Sequence, residues 1–156
     1  MDSIDWKVLR RLTENGRATW AELGALLELS APAAAERVRK LEERGVIRGY
    51  TALVDAPALG YPLTAFIGVV LERPRDREPF LAKVGQLAAV QECHHVAGDE
   101  DYLLKVRVSG LPALEDLVSN ELKGLPGVVK TRTTIVMSTV KETHRLAMEG
   151  QSPPKE

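Results

Sequence analysis

The sequence contains one cysteine, Cys93, so an intrachain disulfide is impossible. Aromatic residues are scarce, with two Phe, three Tyr and two Trp among 156 positions. A core has to be built mainly from aliphatic side chains. No apolar run reaches the roughly 18 residues that mark a membrane span. The opening stretch MDSIDWKVLRRL lacks the apolar centre of a secretion signal. With the lone thiol, these features lead to the expectation of a reducing, cytoplasmic setting and no membrane partner. An excess of one charge is also missing, since the net charge is −1. Bulk electrostatics therefore singles out no partner.

The usual chemistry-bearing constellations are absent too. No G-x-x-x-x-G-K loop is present to cradle phosphates. Thr134 and Ser138 have no general base visible in the sequence, so nucleophilic catalysis has no support and no enzyme is expected. His94 and His95 are adjacent on a predicted strand and point to opposite faces. Cys93 beside them lacks the usual ligand spacing, so neither a metal nor a cofactor is expected. Trp6 and Trp20 are expected in the core or in domain packing.

What is present is clustered charge within a recognisable local pattern. Residues 1–50 carry nine Lys/Arg against eight Asp/Glu, but Arg37, Arg39, Lys40, Arg44 and Arg48 fall on or just after one predicted helix. A local patch of this kind is what phosphate contact needs. The segment Thr19–Tyr50 reads as helix, tight turn, helix and departing strand. Thr19 with Glu22 three residues on forms a capping box. Leu23, Leu26 and Leu27 share a face. Ser30 is a second cap, and Pro32 is tolerated in a first helical turn. Ala34, Val38 and Leu41 follow at helical spacing, and Gly45 ends the helix. With only Glu28, Leu29 and Ser30 between them, the helices must cross steeply. This is a helix-turn-helix, and double-stranded DNA is the partner it calls for.

An earlier helix is predicted from about Ile4 to Asn15, with Ile4, Val8, Leu9 and Leu12 as its apolar stripe. Val46–Val54 reads as a strand, which would make the unit winged. Asp55–Leu63, with two prolines and a glycine, reads as a connection. Beyond it the predicted order is a strand at Thr64–Leu71, a helix at Asp76–Leu87 and a strand at Val90–Ala97. The turn Gly98–Asp101 leads into a strand at Tyr102–Val108, a helix at Leu111–Leu125 and a strand at Val128–Val140. The first helix would bury Phe80, Leu81, Val84 and Leu87, and the second Leu114, Leu117, Val118 and Leu122. That order, βαββαβ, is ferredoxin-like. The fold class is thus α+β: a winged helix-turn-helix over 1–50, a strand and linker over 51–63, a βαββαβ domain over 64–142, and a tail over 143–156, disordered from about 150. The helices cover one sheet face. The other face, with Leu103 and Ile67 or its neighbours, calls for a partner, and a symmetric dimer is the simplest one.

Four stretches in this order give the chain a specific likeness: IDWKVLRRLTENGRATWAEL, LSAPAAAERVRKLEERGVIRGYTALVD, GDEDYLLKVRV and LPGVVKTRTTIVMSTVK. Over roughly Ile4–Leu146 the sequence resembles the Lrp/AsnC, or feast/famine, transcription regulators, most closely the leucine-responsive branch. The resemblance implies an N-terminal DNA-binding domain and a C-terminal domain that dimerises and senses small molecules, usually amino acids. It implies further assembly to tetramers or octamers, with effector bound between dimers.

For DNA, Ser30, Pro32, Ala33, Glu36, Arg37, Arg39, Lys40 and Arg44 are the candidates. Arg37 has the fork that reads guanine O6 and N7. Arg39, Lys40 and Arg44 suit phosphates, and Ser30 adds a hydrogen bond at the helix start. Glu36 either accepts from a cytosine amine or pairs with Lys40. The alternative for each arginine is a solvated or salt-bridged side chain. Ala33–Ala35 offer few base contacts, which shifts specificity toward DNA shape. For an effector, the resemblance carries over Gly98, Asp99, Asp101 and Tyr102, with Thr134, Val136 and Ser138 from the last strand. Backbone amides at the Gly98 turn suit a carboxylate and an Asp suits an ammonium, as a free amino acid requires. The alternative is a plain hairpin turn. The rival functions are an architectural protein that wraps DNA without a ligand and, more remotely, a small-molecule enzyme.

Overall fold

A computed structural model describes residues 1–148 of the chain. The expected disordered tail from about 150 lies outside the described residues. The chain divides into two units. One is Met1–Leu53 together with the stretch from Lys141 onward, and the other is Val54–Val140.

The first unit is three helices. Helix α1 spans Ser3–Glu14, α2 spans Trp20–Leu27 and α3 spans Ala31–Glu43. Each begins at a side-chain cap. Asp2 and Asp5 cap α1 reciprocally, at 2.9 Å for Asp5 N–H to Asp2 and 3.1 Å for Asp2 N–H to Asp5. Thr19 and Glu22 do the same for α2. The Ser30 hydroxyl accepts from the Ala33 N–H at 3.3 Å, with Pro32 in the first turn of α3. These contacts satisfy donors that a helix start otherwise leaves unpaired. Glu28, in the left-handed region at φ 57°, ends α2. Gly45, at φ 69°, lies just past α3. The core is Val8, Leu9, Leu23, Leu27, Ala34, Val38 and Leu41, with Ile4, Leu12 and Met148 packed against it. The Arg10 guanidinium donates to the Met148 carbonyl at 3.1 Å, within this unit.

Several expectations need correction here. Leu26 is 48% exposed, outside the α2 core face. Trp20 is exposed as well, being the first residue of α2. Val46–Val54 forms no strand, because no described strand pairs with it. A β-ladder needs a neighbour to take its N–H and C=O groups, which a suitable sequence cannot supply alone. Val46, Tyr50, Leu53 and Val54 are all exposed.

The second unit is a four-stranded antiparallel sheet with helices on one face. Strand β1 is Leu63–Leu71, α4 is Arg77–Val84, β2 is Val90–His95 and β3 is Tyr102–Val108. Helix α5, Leu111–Asp116, continues as a π-helical stretch Leu117–Leu122, and β4 is Val128–Ile135. The strand order is β2-β3-β1-β4, with every pairing antiparallel. The βαββαβ order expected from the sequence is present. The elements are shorter than expected: α4 stops at Val84, β2 at His95 and β4 at Ile135. One further bond, from the Val136 N–H to the Thr64 carbonyl at 2.9 Å, extends the pairing just past β4.

The core holds Ala65, Ile67, Val69, Phe80, Tyr102, Leu104, Val106, Leu114 and Leu122. Leu81 faces solvent instead. Ile67 is also inside, since it pairs with Leu104 on the helix-covered side. The period-2 alternation then puts its neighbours Phe66, Gly68 and Val70 on the open face. Register places Leu103 and Lys105 beside them from β3, and Lys130, Arg132 and Thr134 from β4.

Candidate DNA interface and effector site

The basic residues of α3 are not equally available. Arg37 reaches α1, where one guanidinium nitrogen donates to Asp5 at 3.0 Å and also to Asp2. Its side chain is 33% exposed, and Asp5 is buried at 7%. Hydrogen bonding by Asp2 and Asp5 raises the Arg37 pKa. The Asp5 N–H and then Arg37 hold the Asp2 carboxyl below its ordinary value. Arg37 thus occupies the salt-bridged alternative.

Arg39 lies between Glu36 and Glu43 along α3, at 2.6 Å from Glu36. Its hydrogen bond is the main cause of a lowered Glu36 pKa. Lys40 approaches Glu36 at 3.7 Å, the helical i,i+4 pairing that the sequence offered for Glu36. All these side chains are about half exposed and rearrange at little cost. Arg44 pairs with no carboxylate among the described residues. Ala33, Glu36, Arg37, Lys40 and Arg44 line a cleft of about 370 Å³ together with Asp5 and Leu41. The structure therefore gathers five of the eight DNA candidates. Pro32 and Ser30 sit at the helix start, and Arg39 lies outside the cleft lining.

The effector candidates divide in a similar way. Gly98 and Asp99 are exposed, and a side chain at Gly98 would meet open space. Asp101 turns inward. Its carboxylate accepts the Leu71 N–H at 2.7 Å, and its own N–H donates to the Val69 carbonyl at 2.9 Å. Tyr102 is 3% exposed, with its ring against Phe80 and His95. Thr134 is exposed on the open sheet face, paired in register with Phe66. Val136 and Ser138 follow the end of β4.

Two residues here escaped the sequence reading. Glu100 folds back over the open face, and its carboxylate meets Arg132 at 2.7 Å. The Glu100 side chain is only 17% exposed, because it lies across Gly68. The available clue was the alternation of Lys130, Arg132 and Thr134 on one side of the last strand. Nearby on the same face, Glu92 pairs with His94 at 3.0 Å and Lys105 at 3.3 Å, and the His94 hydrogen bond lowers its pKa. His95 stacks on Tyr102, so the two histidines diverge. Among the described residues no group of His, Cys, Asp and Glu is placed to hold a metal. No described helix is long and apolar enough to cross a membrane.

A capped helix-turn-helix in one chain with a βαββαβ unit defines the class: a two-domain helix-turn-helix protein. Comparison makes this specific. Residues 1–42 match the AsnC-type helix-turn-helix domain, and residues 64–146 match the Lrp/AsnC ligand binding domain. The chain belongs to the Lrp/AsnC family of transcriptional regulators, which are not enzymes. It is 43% identical to the leucine-responsive regulatory protein of Salmonella typhimurium, covering 96% of this chain and 92% of that one. Identity to the Escherichia coli K12 protein of the same name is 42%, with the same coverage. Among solved structures, a Neisseria meningitidis transcriptional regulator in complex with L-Met superposes with a TM-score of 0.91. Its identity is 32%, over 96% of this chain and 97% of that one. The Mycobacterium tuberculosis leucine response regulatory protein gives 0.82 at 36% identity, over 94% and 99%.

Proposed function

We propose that this regulator answers to a free amino acid bound beside the Gly98–Asp101 loop and the end of β4. Binding changes how copies of the chain assemble, and hence how their α3 helices meet double-stranded DNA. The observation that carries the effector reading is the Glu100–Arg132 pair over Gly68. An amino acid brings one ammonium and one carboxylate. Glu100 is the partner for the first and Arg132 for the second. A zwitterion inserted there exchanges one internal ion pair for two. Gly98 and Asp99 supply an exposed rim, and Thr134 a hydroxyl on the same sheet face. Asp101 and Tyr102 shape the loop from beneath, through the Leu71 N–H and the Phe80 ring. The relative solved with L-Met supports an amino acid as the ligand class.

On the DNA side, α3 presents Pro32, Ala33 and Glu36 to the major groove, with Ser30, Arg39, Lys40 and Arg44 toward phosphates. Coupling requires that the amino acid bind one assembly more tightly than another. The test is calorimetric titration of the intact protein with each of the twenty amino acids. Glu100→Gln and Arg132→Gln should each weaken whichever one binds. Binding that survives both substitutions would place the site elsewhere. No binding by any amino acid would favour the ligand-free architectural reading.

A further inference from the structure

Arg37 is the side chain on α3 best shaped to read a base, yet both carboxylates of the α1 capping box hold it. Asp2 and Asp5 accept each other's backbone N–H groups across the first turn of α1. The same two carboxylates accept from a single guanidinium nitrogen of Arg37. The Asp5 side chain is only 10% exposed, so little water replaces Arg37 if Arg37 leaves. Of the three side chains only Asp5 is mostly buried, and leaving a mostly buried carboxylate without its partner costs more than the pair gains when formed. Arg37 sits between the buried Ala34 and Val38 and the exposed Glu36 and Lys40. The link to Asp2 and Asp5 thus joins the core contacts of Val8 and Leu9 with Ala34, Val38 and Leu41 in holding α3 against α1.

From this we infer that Arg37 is a positioning residue for DNA recognition. Its link to Asp2 and Asp5 sets α3 against the start of α1, and the cations that touch DNA are Lys40, Arg44 and a released Arg39. The inference rests on the DNA-binding reading above. It reassigns Arg37 within that reading, and it makes Asp2 and Asp5, which touch no nucleic acid, determinants of affinity.

The experiment measures affinity of the intact protein for a duplex that the native chain itself selects from a random-sequence library. Affinity is followed against salt, at a temperature where circular dichroism shows each variant folded. The variants are Arg37→Ala, Arg37→Lys, Asp2→Asn/Asp5→Asn and the triple Asp2→Asn/Asp5→Asn/Arg37→Ala. Asn keeps the capping acceptors, so the aspartate variants retain α1 if Arg37→Ala proves too unstable. Arg37→Ala and the double Asn variant should each lose roughly 10-fold, the size of one misread base pair. The triple variant should lose no more than either alone, since residues acting as one unit are not additive. The slope of log affinity against log salt should stay at the native value. A slope that falls by about one with Arg37→Ala would mean a direct phosphate contact and overturn the inference. So would tighter binding by the double Asn variant, or undiminished affinity with only a lowered melting temperature. Failure of the native chain to enrich any duplex would instead overturn the DNA-binding reading.

Discussion

Glu100 lies so close over Gly68 that a Cβ added there would stand 2.6 Å from Glu100 Cγ. The Glu100 side chain thus connects loop and sheet, with Arg132 as its ion-pair partner. Gly68 is not in the left-handed region, so its role is close approach rather than backbone freedom. Gly68→Ala should displace the Glu100 side chain, which is flexible and can swing out. The expected cost in stability is below about 1 kcal/mol, because no backbone has to move. Amino-acid affinity should fall with it. Calorimetry of unfolding and of ligand binding on the same variant separates the two effects.

Gly24 offers the contrasting case. A Cβ at this position would meet the Leu29 carbonyl oxygen at 2.7 Å and the Ala31 nitrogen at 3.2 Å. These are backbone atoms of the turn after α2 and of the first residue of α3, and they cannot swing aside. Ala normally gains up to about 1 kcal/mol over Gly inside a helix. Here overpacking of about 1–3 kcal/mol should outweigh that gain. Thermal unfolding should show Gly24→Ala melting below the native protein, the reverse of the helix-propensity expectation.

Asp101→Ala removes the acceptor for the Leu71 N–H where β1 ends. An orphaned, partly buried donor costs about 1–3 kcal/mol. In a unit of this size that is a fall of several degrees in melting temperature, at about 4–8 °C per kcal/mol. Asp101→Asn retains an acceptor and should recover much of the loss. If both variants melt as the native chain does, the carboxylate is not structural and its place in the effector site regains weight.

Two groups set opposite pH limits on the first unit. The folded pKa of Asp2 is lowered, first by the Asp5 N–H and then by Arg37. Its contribution is therefore complete above the ordinary carboxylate value of about 4. It is lost as pH falls through the lower folded value. Tyr50 donates to Glu42 at 2.8 Å; although about half of the residue is exposed, partial desolvation of its hydroxyl, followed by that bond, pushes its pKa up to about 12. A raised pKa gives stability that is present below the unfolded value of about 10 and lost as pH rises through the folded one. Alkaline titration of tyrosinate absorbance should show a late contribution that Tyr50→Phe removes.

What could be read from the sequence was what is local. The Thr19–Glu22 box and the Ser30–Pro32 start lie within one helical turn, and both are present. The alternation of β3 also read true, with Leu104, Val106 and Val108 inside. Asp2 and Asp5 carry an equally local signal, an Asp three residues after a capping Asp. Arg37 could not be assigned locally, because its partner Asp5 is 32 positions away on another helix. Glu100, Gly68 and Arg132 come from a loop and two strands, and only the register brings them together. Val46–Val54 has strand composition but no described neighbour, so composition alone misled.

The most direct test of coupling between the ligand binding domain and assembly is the mass of the intact protein in solution. Light scattering after size exclusion, with and without the amino acid that binds, reads it without a label. Ligand addition should shift the mass between a dimer and a higher assembly, and Glu100→Gln should abolish that shift. An unchanged mass at saturating ligand would contradict regulation through assembly.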